Sequence, residues 1–364
     1  MRFLKKTILI SIGTLVLFCL SAKAQEDISI SKLEFSGFID LYYGYDFNKP
    51  MEQKRLPFLY NHTRHNTPTV NLASIKGTYT SKRFRANLAL QQGTYVEDNL
   101  ERETEALEWI QEANLGVALS AKEQIWLDVG VFPAHTGFES AISSQNPTLS
   151  RSLVAEGSPY FLTGGRLSWM GTEKWILALY IVNGWQLIEG IEGNSSPSFG
   201  SQIVFSPNQN IALNWNTFIG PSGPDENRQM RYFSNLFANL TLSDQWNMII
   251  GFDSGLQKPG LGETENKTWF GGAWITQYII NEKWQTAARA EFYNDPAGVN
   301  AINQIGDGLK ASGFSLNLDR NLGSGFLIRV EGRYLVGPEN QFMKEEVLKK
   351  DNFYFLSSVS WTWN

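Results

Sequence analysis

The stretch GFLIRVEGRYLV, residues 325–336, sorts its side chains by parity. Phe326, Ile328, Val330, Tyr334 and Val336 share one parity, and Arg329, Glu331 and Arg333 the other. Period 2 is the strand period, because successive side chains of an extended chain point to opposite faces of a sheet. Two kinds of protein carry this pattern. A soluble sheet buries its apolar face in a core, whereas a membrane barrel turns that face to lipid and keeps its charges around a wet lumen.

The pattern recurs along the chain in about 16 segments of roughly ten residues, the length a tilted strand needs to cross a bilayer. They fall at 33–47, 69–80, 83–95, 106–119, 124–132, 160–170, 174–186, 198–206, 210–220, 229–242, 246–257, 268–280, 284–294, 308–319, 325–336 and 353–363. Alternation is weakest at 268–280 and 308–319. Short polar turns (TSKR, SAKEQ, GTEK, SPNQN, LSDQ, NEK, DRNLGSG) alternate in order with longer, irregular connections. Such sorting predicts an all-β, antiparallel, up-and-down transmembrane barrel with short periplasmic turns and long extracellular loops.

The N-terminus agrees with export. MRFLKK is a basic leader, TILISIGTLVLFCL an apolar run too short for a membrane span, and Ser21-Ala22-Lys23-Ala24 a small-residue cleavage site. This predicts a secretory signal peptide over 1–24, a mature chain from Gln25, and one barrel domain over 25–364. Cys19, the single cysteine, leaves with the leader, so disulfides play no part. Four basic residues leave too, which makes an already acidic chain (formal charge −5) more so, and a poor nucleic-acid binder.

Large aromatics follow the short turns: Trp126, Trp175, Trp246 and Trp284 after EQI, EK, DQ and EK, with Phe84 and Phe326 in similar places. Trp361 and Trp363 lie in the aromatic closing strand FYFLSSVSWTWN, of the type that barrel assembly machinery reads. Tryptophan recurring at one end of successive hairpins is what an interfacial girdle requires. On the opposite parity, the expected pore lining is Asp40, Lys76, Arg83, Arg85, Glu108, Glu112, Asp128, Arg166, Arg231, Asp253, Arg289, Glu291, Arg329, Glu331 and Arg333. Acids and bases are similar in number there, which predicts weak ion selectivity.

The longest connection, PAHTGFESAISSQNPTLSRSLVAEGSP at 133–159, carries apolar Phe138, Ile142, Leu149, Leu153 and Val154 beside Glu139, Arg151 and Glu156. Loops of that length are usually functional or disordered, and apolar groups are costly to leave in water. The reading is a constriction loop folded into the lumen, with Arg151 and Glu156 lining the narrow point or pinned to wall charges such as Arg166 and Asp128; an extracellular cap is the other arrangement.

The sequence resembles the putative beta-barrel porin-2 (OmpL-like) family, widespread in Bacteroidetes. The resemblance covers nearly the whole mature chain and rests on GFIDLYYGYDFNKP with FLYNHTRHN, on RANLALQQGTYV, and on WLDVGVFPAHTGFESAISSQNPTLSRSLVAEGSPYF. It implies a porin-like barrel in the outer membrane of a Gram-negative bacterium, without catalytic residues.

The chain has three histidines: His62, His65 and His135. His62 and His65 flank Arg64 without a nearby carboxylate, a poor metal pair. None of the three falls in a strand, where an outer-membrane hydrolase would need one. The acidic run EDNLERETEALE, residues 97–108, reads as solvated loop. The expected function is therefore passive diffusion of small hydrophilic solutes, without enzymatic activity, cofactor or metal. The expected partners are outer-membrane lipid and lipopolysaccharide, the solutes and the assembly machinery. The alternative is a non-channel surface β protein: an adhesin, a binding module or a barrel enzyme.

Overall fold

The computed structural model describes residues 31–364; the signal-peptide expectation over 1–24 lies outside them. Sixteen antiparallel strands close into one barrel. They are β1 (Lys32–Asp46), β2 (Thr69–Thr80), β3 (Phe84–Gln92), β4 (Ile110–Ala118), β5 (Ile125–Pro133), β6 (Phe161–Trp169), β7 (Trp175–Val182), β8 (Ser198–Asn208), β9 (Ile211–Pro221), β10 (Met230–Thr241), β11 (Trp246–Gln257), β12 (Lys267–Asn281), β13 (Trp284–Asn294), β14 (Lys310–Gly323), β15 (Phe326–Val336) and β18 (Asp351–Trp363). A small hairpin, β16 (Phe342–Lys344) with β17 (Val347–Lys349), sits in the last long loop. The aromatic strand β18 closes the barrel on β1, from Gly37 opposite Trp363 to Asp46 opposite Tyr354. Closure pairs every strand on both sides and leaves no edge, the condition for a sheet in hydrocarbon. Among the described residues no helix is long and apolar enough to cross a membrane.

All the predicted strands are present, and β3, β4 and β7 are clearly shorter than predicted. Gly93 ends β3 with φ +131°, where a Cβ would lie 2.4 Å from the Asn71 carbonyl oxygen, and α1 (Thr94–Asn99) follows. A second short helix, α2 (Glu105–Glu108), precedes β4. Glu108 thus lies in a loop and not on a strand of the lumen wall.

The two faces answer the question of which is wet. Outward residues are apolar and uncovered, Leu115 at 70%, Leu316 at 65% and Leu179 at 61%, while Arg329, Glu331 and Arg333 on the inner face are fully buried. A soluble sheet would show the reverse. So large an exposed apolar belt is a lipid surface.

The core lies inside the lumen, toward the long-loop end. Leu56, Phe58 and Leu59 from the first long loop, and Leu149, Leu153 and Val154 from the third, pack against Phe218, Phe233, Trp269, Tyr293, Leu335 and Tyr354 of the inner wall. The expectation that Arg329, Glu331 and Arg333 line a wet pore is corrected here: they point inward but are buried. Part of that face is dry because the chain's own loops occupy it.

Candidate functional site: the lumen

On one side of the lumen, inward side chains of β13, β14 and β15 grip the backbone of the third long loop, residues 134–160. Arg329 donates to the carbonyls of Ser143 (2.6 Å), Asn146 (3.0 Å) and Pro147 (3.0 Å), and is held by Asp319 at 2.8 and 3.0 Å. Arg289 donates to the Ser150 carbonyl (2.6 Å), to the Thr148 and Ser150 hydroxyls (each 2.9 Å) and to Glu331 (2.9 Å). Glu331 in turn accepts from the Ser150 amide at 2.6 Å, and Glu291 from the Leu153 amide at 2.7 Å. Arg333 joins Glu291 (2.8 Å), the Arg151 carbonyl (3.0 Å) and the Tyr354 hydroxyl (2.8 Å). Buried charges are tolerated only when paired and hydrogen-bonded. Loop carbonyls and amides supply what the ion pairs alone would leave unmet.

The loop crosses to the other strands as well. His135 Nε2 donates to the Thr217 carbonyl of β9 (2.9 Å), the Gly137 amide to Asn235 of β10 (3.1 Å), and the Ser143 hydroxyl to Asp40 of β1 (2.8 Å). Asp40 also binds His62 Nε2 at 2.8 Å, so one buried carboxylate ties the first and third long loops to β1. Within the loop, Ser152 caps α3 (Leu153–Glu156) and donates to Glu139 from both its amide and its hydroxyl. Burial raises the Glu139 carboxyl above its ordinary range against the pull of Arg289.

Arg151 and Glu156 do not reach Arg166 and Asp128, contrary to expectation. Arg151 lies over the Tyr160 ring at 3.6 Å and donates to the Ala155 carbonyl, while Glu156 accepts from the Tyr160 hydroxyl (2.7 Å) and the Tyr60 amide (3.2 Å). Asp128 is already saturated by Arg85 (two bonds of 2.6 Å) and Arg166 (3.0 and 3.1 Å).

The remaining inward charges divide by hydration. Lys76 of β2 grips Glu112 of β4 at 2.8 and 2.9 Å, and this pair, like Arg85 and Arg166, stays partly exposed. Arg231 is buried against Trp185 and Trp269 and bonds Gln257; Asp253 is buried and accepts from Asn235. Arg83 sits in the β2–β3 turn and donates to the Ala118 carbonyl at 3.0 Å, outside the lumen wall. Beneath the loop a cavity of about 720 Å³ runs between β1–β4 and β10, with Ser36, Thr78 and Thr362 at the short-turn end.

The girdle residues lie outward after the short turns with one exception. Trp175 packs on Phe205, Trp246 on Tyr278, Trp284 under Arg320, and Trp361 stacks with Phe326 and Trp363. Trp126 is the correction: it is buried inside, with the Arg85 guanidinium 4.3 Å over its ring and its indole N–H on the Glu123 carbonyl. It shares the parity of Asp128, which fixes its face.

Sequence reasoning missed Asp319 and Asn317, which anchor Arg329 and the Leu149 amide, and Tyr354. No group of three or more candidate metal ligands exists among the described residues. The histidines are spent on structure: His62 on Asp40, His65 on the Asp46 amide (2.9 Å), and His135 stacked on Tyr180 (4.0 Å between centroids).

Solved structures share this architecture at low identity. An anion-selective porin from Comamonas acidovorans matches with TM-score 0.61 and 9% identity over 92% of this chain and 100% of its own. The outer-membrane channel DcaP of Acinetobacter baumannii gives 0.56 and 11% over 93% and 99%. OmpT of Vibrio cholerae gives 0.57 and 9% over 93% and 100%. At such identity these establish the fold alone. No curated protein matches the sequence. The family described as "Putative beta-barrel porin-2, OmpL-like" matches residues 32–362, nearly the whole barrel, and the chain belongs to that family of outer-membrane porins.

Proposed function

We propose that the barrel carries small hydrophilic solutes by passive diffusion, with residues 134–160 setting its narrow point and no catalytic step. The observation that carries this is the grip of Arg289, Arg329 and Arg333 on loop carbonyls, which holds the loop across the lumen and leaves the cavity beneath it. Most lumen charges are paired locally, and the two that are not, Arg231 and Asp253, are of opposite sign, so ion selectivity is weak. Export by a signal peptide cleaved before Gln25, insertion by the assembly machinery and contact with lipopolysaccharide belong to the same reading. Deleting residues 140–152 is expected to raise single-channel conductance in a planar bilayer while the barrel keeps its heat-modifiable gel migration. Unchanged conductance in a folded deletion variant would remove the loop from the permeation path.

A further inference from the structure

The cavity beneath the loop is built from two unlike sides. Phe138 from the loop and Phe237 from β10 line one side, both partly exposed, with ring centroids 5.8 Å apart. Phe138 is seated against bare backbone: a Cβ on Gly251 would lie 2.1 Å from its ring, so only glycine at that position admits it. On the other side stand Lys76 and Glu112, whose charges cancel at 2.8 Å while the pair remains partly exposed. Two further lining residues, Gln91 and Thr136, carry buried side-chain oxygens that find no hydrogen-bond partner among the described residues. Unmet polar atoms of that kind favour a ligand that brings its own donors.

We propose that this cavity is a binding subsite for a neutral, polyhydroxylated solute of about disaccharide size, a class of cargo for the channel reading on which the inference rests. A sugar presents an apolar C–H face and a rim of hydroxyls. The face fits the phenylalanine side, and the rim can donate to Gln91 and Glu112 and accept from Lys76. A volume of about 720 Å³ lies within the range of ligand pockets. An ionic solute fits poorly, because recognising its charge would mean breaking a satisfied ion pair.

The test is saturation-transfer NMR on the folded mature barrel in lauryldimethylamine oxide, whose headgroup is not a sugar. The probes are maltose, cellobiose, sucrose and lactose, with citrate and the dipeptide Ala-Ala as charged competitors. At least one neutral disaccharide should receive saturation, and Phe138→Ala should weaken its binding about tenfold, the worth of one aromatic contact. Phe237→Ala, on a different element, should act in the same direction, with heat-modifiable migration confirming that both variants fold. Saturation of citrate or Ala-Ala in place of the sugars, or no sugar binding, or sugar binding indifferent to both phenylalanines, would overturn the proposal. Binding in detergent does not depend on conduction. Sugar binding with an electrically silent barrel would break the channel reading, and conduction without sugar binding would break this inference.

Discussion

Two stretches of the inner wall carry the same kind of side chain and live in different solvents. On β13–β15, Arg289, Glu291, Arg329, Glu331 and Arg333 are buried and bonded to loop backbone, with buried Asp319 holding Arg329 in place. On β2–β6, Lys76, Glu112, Arg85 and Arg166 pair with each other or with Asp128 and keep contact with the cavity or the open lumen. Parity put both sets inside. What separates them is the third long loop, which dries one stretch and leaves the other wet. An ion pair in the dry set is costly to break, because its surviving partner cannot recover water.

The largest effect should therefore follow from Glu331→Ala. It takes an acceptor from Arg289 and two bonds from Ser150, leaving a buried arginine short of its counter-charge. The expected loss is about 3–5 kcal/mol, measured by urea unfolding of the barrel in vesicles. Conductance should rise as the loop loosens. A loss under ~1 kcal/mol would mean that water already reaches this wall, and the contrast between the two stretches would collapse.

The opposite end of the loop gives a smaller effect, tuned by pH. Burial, with Arg166 adding to it, lowers the pKa of His135 from the ordinary 6.5 to about 4, against its bond to the Thr217 carbonyl. The folded state thus holds fewer protons on this ring than the unfolded chain between those values. Its contribution is intact above pH 6.5 and lost as pH falls toward 4, by about 3 kcal/mol over the full window. Glu139, whose pKa is raised by burial, works the other way: its proton is favoured by folding, so acid relieves it. The expected outcome is a stability loss between pH 6.5 and 4 that His135→Asn abolishes and Glu139→Gln deepens. An acid response that His135→Asn leaves unchanged would assign it elsewhere.

The barrel was legible in the sequence because period 2 and turn length are local properties. The inner charges were legible for the same reason, and the error at Trp126 was avoidable: an aromatic two residues before Asp128 cannot face lipid while Asp128 faces the lumen. Asp319 and Asn317 could have been found too, since FSLNLD alternates cleanly within a segment judged weak as a whole. The pairing of the loop was not legible. Arg151 and Glu156 looked like anchors because they are charged, but the anchoring is done by wall arginines on loop carbonyls, and backbone acceptors leave no mark in a sequence. The dryness of Arg329, Glu331 and Arg333 depends on where residues 134–160 come to rest, contacts across 181 to 186 positions that no local pattern encodes.

The smallest effect belongs to the wet wall. Lys76 and Glu112 form an ion pair with side chains 32% and 13% exposed. Partly hydrated pairs of this kind are worth roughly 1 kcal/mol or less, since water replaces whichever partner is removed. Lys76→Cys should accordingly shift urea unfolding by no more than about that amount. The same substitution reports on solvent directly, because Cys19 is the chain's one cysteine and the barrel strands carry none. A thiol at position 76 should react readily with a water-soluble, channel-permeant reagent, and one at position 333 should not, although both side chains point inward. Combining Arg333→Cys with deletion of residues 140–152 should make position 333 reactive, since the loop and not the strand excludes water there. Equal reactivity at 76 and 333 in the intact barrel would show the lumen to be wet throughout, and the loop to rest elsewhere than against β13–β15.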